Sequence, residues 1–167
     1  MNVLEFMDLK LNTKNKTIRI VPVYRPPRSA SRSYPIADFY SDIEKLVTHY
    51  KTIKDEVILC GDYNVHINKP EEAETCRFNS IIESADLKHH VYEKTHLRGN
   101  TLDLVMTDSS SSLITKCVVD EFLSDHAVIP VDLNLMKPPK SKKTIRFRKN
   151  KDVNVSLLEA DIDNNLK

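Results

Sequence analysis

Two segments carry the residue types that chemistry needs. Gly61-Asp62-Tyr63-Asn64 follows the apolar run Val57-Ile58-Leu59-Cys60, and Ser124-Asp125-His126 lies near the end of the hydrophobic part of the chain. Each sets a carboxylate beside a different polar group at the end of an expected buried strand. Carboxylates, an amide and an imidazole gathered at strand ends suit Mg²⁺-assisted cleavage of a phosphodiester. Asp62 can take a proton from an attacking water or orient it. Asn64, two residues on, would point the same way if strand geometry persists, and its amide can hold that water or a phosphate oxygen. Asp125 is a candidate metal ligand. His126 can protonate or hydrogen-bond a phosphate oxygen, a role that usually needs an acid on the second ring nitrogen. Asp103, inside Thr101-Leu102-Asp103-Leu104-Val105, is the candidate acid, because an aspartate in an apolar strand is costly without a partner. Tyr24 ends a strand before Arg25-Pro26-Pro27, which would aim its phenol at a phosphate. Each feature also has a plainer use: Asp and Asn as turn formers, His126 as a capped structural histidine, Tyr24 as packing. His49, His66, His89, His90 and His96 lack comparable context and read as surface or structural residues.

The elements that must position these groups follow from periodicity. Val3 to Leu11 reads as a strand, Asn12 to Asn15 as a polar turn, and Thr17 to Tyr24 as a second strand in a hairpin with the first. Arg25-Pro26-Pro27 stops regular structure, because proline lacks an N–H and restricts the residue before it. Pro35 suits a helix start, and Ile36, Phe39, Tyr40, Ile43, Leu46, Val47 and Tyr50 predict an amphipathic helix over 36–51. Val57 to Cys60 reads as a strand buried on both faces. A short helix is expected over about 75–84. Leu87 to Tyr92, Thr101 to Thr107, Leu113 to Val119 and Ala127 to Leu135 are strand candidates.

Composition bounds the rest. The chain has 167 residues, which suits one domain, and a net charge of +1, so any attraction for a polyanion must come from a local patch. No apolar run approaches a membrane span, and Met1 to Phe6 lack the pattern of a signal peptide. Cys60, Cys76 and Cys117 are odd in number and widely spaced, which fits reduced thiols and an intracellular setting. Only two glycines occur, Gly61 and Gly99, and both fall in candidate site segments. Between Lys137 and Lys151 stand eight lysines and arginines and no acid. That stretch reads as a solvated linker or as a phosphate-contacting patch.

Val23-Tyr24-Arg25-Pro26-Pro27, then Ile58 to Asn64, then Asn100 to Val105, then Leu123 to His126 occur together and in this order. In that arrangement the chain resembles the endonuclease/exonuclease/phosphatase superfamily, and within it the apurinic-type endonuclease domain of non-LTR retrotransposons. The resemblance implies an α/β fold, the DNase I-like four-layer α/β sandwich, with the first strands and helix missing. The family opens with a strand bearing an Asn and a second strand ending in a metal-binding Glu. Both lie upstream of the matched part, and Glu5 does not match that Glu. By resemblance Tyr24 contacts the scissile phosphate, Asp62 activates the water, Asn64 positions it, and His126 paired with Asp103 stabilises the transition state. Asp125 and Asp62 are the implied metal residues, for Mg²⁺ or Mn²⁺ bound weakly if at all. The implied organisation is a partial domain over 1–136, a basic linker over 137–152 and the start of a helical connector over 153–167, leading toward a downstream reverse transcriptase domain. DNA is the implied partner, with no membrane. The implied activity is Mg²⁺-dependent DNA nicking that leaves a 3′-hydroxyl. The alternatives are an inactive truncated remnant with weak nucleic-acid contact, and a small-molecule phosphatase of the same superfamily. A partial domain is further expected to expose apolar strand surface or an unpaired sheet edge.

Overall fold

The computed structural model describes residues 3–14, 16–29, 33–136, 144 and 154–165. Its centre is a six-stranded mixed sheet. β1 (Glu5–Phe6) and β2 (Leu9–Asn12) both pair antiparallel with β3 (Thr17–Tyr24). β3 pairs parallel with β4 (Glu56–Asp62), and β4 pairs antiparallel with β6 (Asp103–Asp108), which carries β5 (Leu87–His89) at the far edge. Parallel neighbours need a crossover. α1 (Ile36–Lys51) supplies it between β3 and β4, over the span its apolar spacing predicts. α2 (Ala73–Ser84) follows β4.

One expected strand is divided in two, for a chemical reason. Glu5 pairs with Tyr24, Phe6 with Val23, and Leu9 with Ile20, so β1 and β2 share one unbroken register on β3. The ladder lapses where Met7 faces Pro22. Met7 donates its N–H to the Pro22 carbonyl at 3.1 Å, but proline has no N–H to return. On its open side this edge exposes Phe6, Met7, Leu9 and Leu11, each more than 40% accessible.

Alternation sorts the strand side chains onto two faces. Val21, Val23, Leu59, Leu104 and Met106 face α1 and α2, meeting Phe39, Ile43, Leu46 and Val47 from α1 and Phe78, Ile81 and Ile82 from α2. Ile18, Ile20, Ile58, Cys60 and Val105 face the opposite way. There they meet β7 (Ile114–Cys117) and β8 (Val131–Leu133), which pair antiparallel as a second small sheet. β8 is much shorter than the expected strand over Ala127 to Leu135. Its approach is carried instead by single hydrogen bonds, Val118 N–H to the Pro130 carbonyl and Asp120 N–H to the Val128 carbonyl, because Pro130 cannot donate to a continuous ladder. Three layers of the sandwich are thus present among the described residues: helices, large sheet, small sheet. Between the sheets lies a cavity of about 380 Å³, lined by Ile20, Ile58, Val105, Ile129, Val131 and Leu133 among others.

The basic stretch after Lys137 lies outside the described residues apart from Thr144. Beyond it, α3 (Val155–Asn165) forms, and Val155, Leu157, Leu158 and Ile162 on it are exposed. Among the described residues no helix is long and apolar enough to cross a membrane.

Candidate active site

Strand register assembles the site. β3 and β4 run parallel and β6 runs against them, so the ends of β3 and β4 and the start of β6 meet at one end of the sheet. Tyr24 is paired with Asp62, and Asp62 with Asp103. All three belong to the face turned toward the small sheet, in line with Ile58, Cys60 and Val105. They form one row across three strands. Gly61 makes the close packing of that row feasible. It sits at φ +130°, and a Cβ there would lie 2.1 Å from the Val23 carbonyl oxygen, a space only glycine leaves open.

Two carboxylates directly opposed on neighbouring strands repel. The balancing charge comes from the Ser124-Asp125-His126 loop. His126 Nδ1 lies 2.8 Å from Asp103 Oδ2. Ligand-type atoms of Asp62, Asp103 and His126 all fall within 4.8 Å of one another. Burial disfavours the charged imidazole of His126, but the hydrogen bond to Asp103 and the charges of Asp103, Asp62 and Asp125 outweigh it. The histidine pKa is therefore raised. Burial also raises the Asp62 pKa, helped by the negative charge of Asp103 and opposed by the Asn64 amide and the two neighbouring imidazoles. A carboxylate held this way is a stronger base than an ordinary aspartate.

Asn64 reaches Asp62, but not by strand alternation. β4 ends at Asp62, and Asn64 turns into the left-handed region at φ 47°. Its backbone N–H donates to Asp62 Oδ1 at 2.9 Å. Its amide Nδ2 donates both to Asp62 Oδ2 at 2.9 Å and to the Arg25 carbonyl at 2.8 Å. The reversed amide would set its oxygen against that carbonyl, so the orientation is fixed. Both amide hydrogens are committed, and the expected hold on a phosphate oxygen through the amide N–H is not free. The Asn64 side chain instead aims the Asp62 carboxylate, and its own oxygen remains to accept from a water.

Arg25 locks the Tyr24 strand end to the Asp62 loop. Its side chain is 2% exposed and pairs with Glu74. Its guanidinium lies 3.8 Å from the centre of the Phe39 ring and donates to the Tyr34 hydroxyl at 2.9 Å. It also lies within hydrogen-bond reach of the Tyr63 and Asn64 carbonyls. The Arg25 backbone N–H donates to the Asp62 carbonyl at 2.8 Å. Sequence alone shows Arg25 as part of a loop stop; its burial becomes visible only through these tertiary partners. Tyr24 itself is 42% exposed, so its phenol is open to solvent.

Asp125 sits on the rim, 68% exposed at its side chain, with His96 Nε2 3.7 Å away. His96, expected to be a surface or structural residue, lies beside Asp125 and His126. Its ring stands edge-on to that of His126 with centroids 4.9 Å apart, and it groups with Asp125 and His126 within 4.8 Å. Nothing in its spacing separates it from His89 or His90, since only the pairing of two distant loops brings it in. Thr95, next to it and fully buried, accepts hydrogen bonds from the Leu102 and Asp103 N–H groups at 3.0 Å each, which fixes the entry of β6.

The donor chemistry fits a hard divalent cation. Mg²⁺ is held by oxygen, commonly one or two carboxylates together with water and substrate phosphate. Such oxygens occur in two groups that share His126: Asp62 and Asp103 in one, and Asp125 with His96 in the other. Asp103 and the His126 Nδ1 are spent on each other.

The endonuclease-reverse transcriptase family model matches residues 18–130, a span that holds every residue of the site. No curated protein sequence matches. Among solved structures, the endonuclease domain of TRAS1, a telomere-specific non-LTR retrotransposon, aligns with a TM-score of 0.63 at 20% identity. It covers 82% of this chain and 64% of that domain. The catalytic domain of Xenopus laevis APE2 aligns at 0.57 and 14% identity, covering 83% of this chain and 57% of its own. The 3′ phosphatase NExo from Neisseria, bound to product DNA hairpin, aligns at 0.55 and 16%, covering 78% and 70%. These likenesses establish the DNase I-like α/β fold, and the chain spans just under two thirds of the TRAS1 domain. The chain belongs to the endonuclease-reverse transcriptase family of the endonuclease/exonuclease/phosphatase superfamily.

Proposed function

We propose that this chain hydrolyses a phosphodiester of DNA in the presence of Mg²⁺ or Mn²⁺, nicking one strand and leaving a 3′-hydroxyl. The observation that carries the reading is the row Tyr24–Asp62–Asp103 closed by His126 at 2.8 Å from Asp103. Asp62, raised in basicity and aimed by Asn64, accepts a proton from the attacking water. The His126 imidazolium, held by Asp103, donates through its other nitrogen to a phosphate oxygen as negative charge builds there. The exposed Tyr24 phenol donates to the same phosphate and fixes its place. A bound divalent ion, with Asp62 and Asp125 as its protein ligands, would neutralise phosphate charge. Two carboxylates make a weak site for it. Phosphodiester hydrolysis gains most from such positioning and charge neutralisation.

A second reading is a catalytically inactive remnant. It is favoured by one observation: an apolar cavity remains between the sheets, directly behind the site residue Asp103. In both readings residues 1–136 are a partial endonuclease domain, 137–152 a basic linker able to touch phosphates, and 153–167 a connector. The exposed apolar residues of α3 fit a helix that packs on a further domain, such as a reverse transcriptase. Supercoiled plasmid incubated with the chain and Mg²⁺, beside Asp62→Ala and His126→Ala, separates the readings. The enzyme gives open circles that both substitutions abolish, whereas the remnant gives none with any protein.

A further inference from the structure

The segment Met7-Asp8-Leu9-Lys10-Leu11 follows one pattern from either end: apolar, charged, apolar, charged, apolar, with opposite signs at the two charged places. It lies on the open edge of the large sheet, where β1 and β2 run along β3 and carry no strand on their other side among the described residues. The ladder fixes where its backbone groups point. Met7 N–H donates to the Pro22 carbonyl at 3.1 Å, and Thr13 N–H to the Lys16 carbonyl at 3.0 Å. In an antiparallel ladder, pairs that exchange hydrogen bonds alternate with pairs that do not. Met7, Leu9 and Leu11 therefore turn their N–H and C=O groups toward β3, and Asp8 and Lys10 turn theirs outward. Side chains alternate too. Leu9 pairs with Ile20 and Leu11 with Ile18, so Met7, Leu9 and Leu11 share the face of those isoleucines. They are 60%, 51% and 44% exposed. Asp8 and Lys10 stand on the opposite face, Asp8 held by Arg19 at 2.6 Å and Lys10 3.9 Å from Asp55.

We propose that this edge is an interface for a second copy of this chain: two copies pair antiparallel through β2 about a two-fold axis perpendicular to the sheet at Leu9. In that register Asp8 of each copy faces Lys10 of the other. Both residues turn their backbone groups outward, so each of these pairs exchanges N–H···O=C bonds in both directions. Leu9 meets Leu9 on the axis, and Met7 meets Leu11 on either side. Apolar side chains of both copies then gather on one face of the joined sheet and opposite charges on the other. Neighbouring registers lose this match. An axis at Asp8 or at Lys10 sets like charges directly opposite, which is unfavourable. An axis at Met7 sets Asp8 against Phe6, and an axis at Leu11 sets Lys10 against Asn12. A slip of one residue puts an outward-facing residue against an inward-facing one and misaligns the two apolar stripes. Lysine on an edge strand usually blunts pairing, but here each lysine is answered by an acid of the other copy. A foreign strand would need the same alternation in reverse order, whereas a second copy supplies it by symmetry.

The test uses the full chain. Sedimentation equilibrium over a range of concentrations should show a monomer–dimer equilibrium for wild type. Leu9→Lys sets two lysines together on the axis and removes two leucines from the contact, and should weaken association about a hundredfold. Lys10→Glu sets like charges opposite at both flanking pairs and should weaken it about tenfold. Circular dichroism melts confirm that the variants fold. Cysteines report the register. Facing residues that exchange no hydrogen bonds have Cα atoms about 4.5 Å apart, within reach of a disulfide. Mild oxidation should therefore convert Leu9→Cys to a covalent dimer. Leu11→Cys faces Met7 of the other copy and should stay at the background set by wild type, which carries three cysteines of its own. A wild-type chain that is monomeric at every concentration overturns the inference and leaves the edge to a different occupant. Association that survives Leu9→Lys or Lys10→Glu unchanged overturns it as well. So does cross-linking of Leu11→Cys equal to that of Leu9→Cys, which would mean a different register.

Discussion

The chain's two glycines give a sharp test of how the site is held together. Gly61 lies in β4 at φ +130°, and an added Cβ would fall 2.1 Å from the Val23 carbonyl oxygen on β3. Gly99 stands at φ +85° in the turn beside His96, with nothing within 4 Å of the same added atom. Gly99→Ala therefore meets backbone strain alone, about 1–2 kcal/mol for a left-handed alanine. Gly61→Ala meets a strain of about 1–3 kcal/mol at its own backbone. It also overpacks against a main-chain atom that no rotamer can move, which adds about 1–3 kcal/mol. For a chain of this size about 1 kcal/mol lowers Tm by roughly 2–4 °C. Gly99→Ala should then lower Tm by about 2–8 °C and Gly61→Ala by about 4–24 °C, with the larger drop at Gly61. Thermal melts followed by far-ultraviolet circular dichroism at one pH measure both. The substitution at Gly61 also parts β3 from β4 next to the Tyr24–Asp62 pair, so any activity should fall with it. If Gly61→Ala melts no lower than Gly99→Ala, the close approach of β3 and β4 at the site is wrong, and the row of site residues with it.

Three further outcomes follow from the same structure. Asp103→Asn removes the charge, and weakens the hydrogen bond, that raise the His126 pKa, so an NMR titration should give His126 a lower midpoint than in wild type; an unchanged or higher midpoint contradicts the pairing. The corresponding stability is fully present below the ordinary histidine value of 6.5 and is lost as pH rises through the higher folded value, and Asp103→Asn should flatten that dependence. Arg25→Met strands Glu74 and two carbonyls at a side chain 2% exposed, and urea unfolding should show a loss of about 3 kcal/mol; a loss under about 1 kcal/mol would rule out Arg25 as the clamp of the two site loops. Leu157→Glu changes a side chain 64% exposed on α3, so unfolding of the isolated chain should shift by no more than about 0.5 kcal/mol.

What sequence makes legible here is whatever depends on local period and on residue type. The spacing from Ile36 to Tyr50 defines α1 to the residue, because a helix face is written within one segment. The pairing of Asp103 with His126 is foreseeable from chemistry, since an aspartate in an apolar strand requires a partner and a histidine near a phosphate requires an acid; that Asp62 joins them is implied by the family resemblance. Three features depend on partners far away in the chain and escape local reading. The split between β1 and β2 is caused by Pro22, which lies on the opposite strand. The reach of Asn64 to Asp62 comes from a left-handed turn and from the Arg25 carbonyl, where alternation alone expects an extended continuation. His96 comes beside Asp125 and His126 through its bridge to His126 and the Leu97 N–H bond to the Asp125 carbonyl, contacts that no spacing rule records. Burial of Arg25 belongs to the same class, since Glu74, Tyr34 and Phe39 come from three separate segments.

The most direct measurement is cleavage of an end-labelled DNA duplex by the purified chain with Mg²⁺, followed by addition of a DNA polymerase. Wild-type protein should nick one strand, and the new end should be extended without further processing, as a 3′-hydroxyl allows. Asp62→Ala, Asp103→Ala and His126→Ala should each leave the duplex intact while melting as cooperatively as wild type. An intact duplex with wild-type protein, or nicking that survives any of these three substitutions, would contradict the assignment of Asp62, Asp103 and His126 to one phosphodiester-cleaving site.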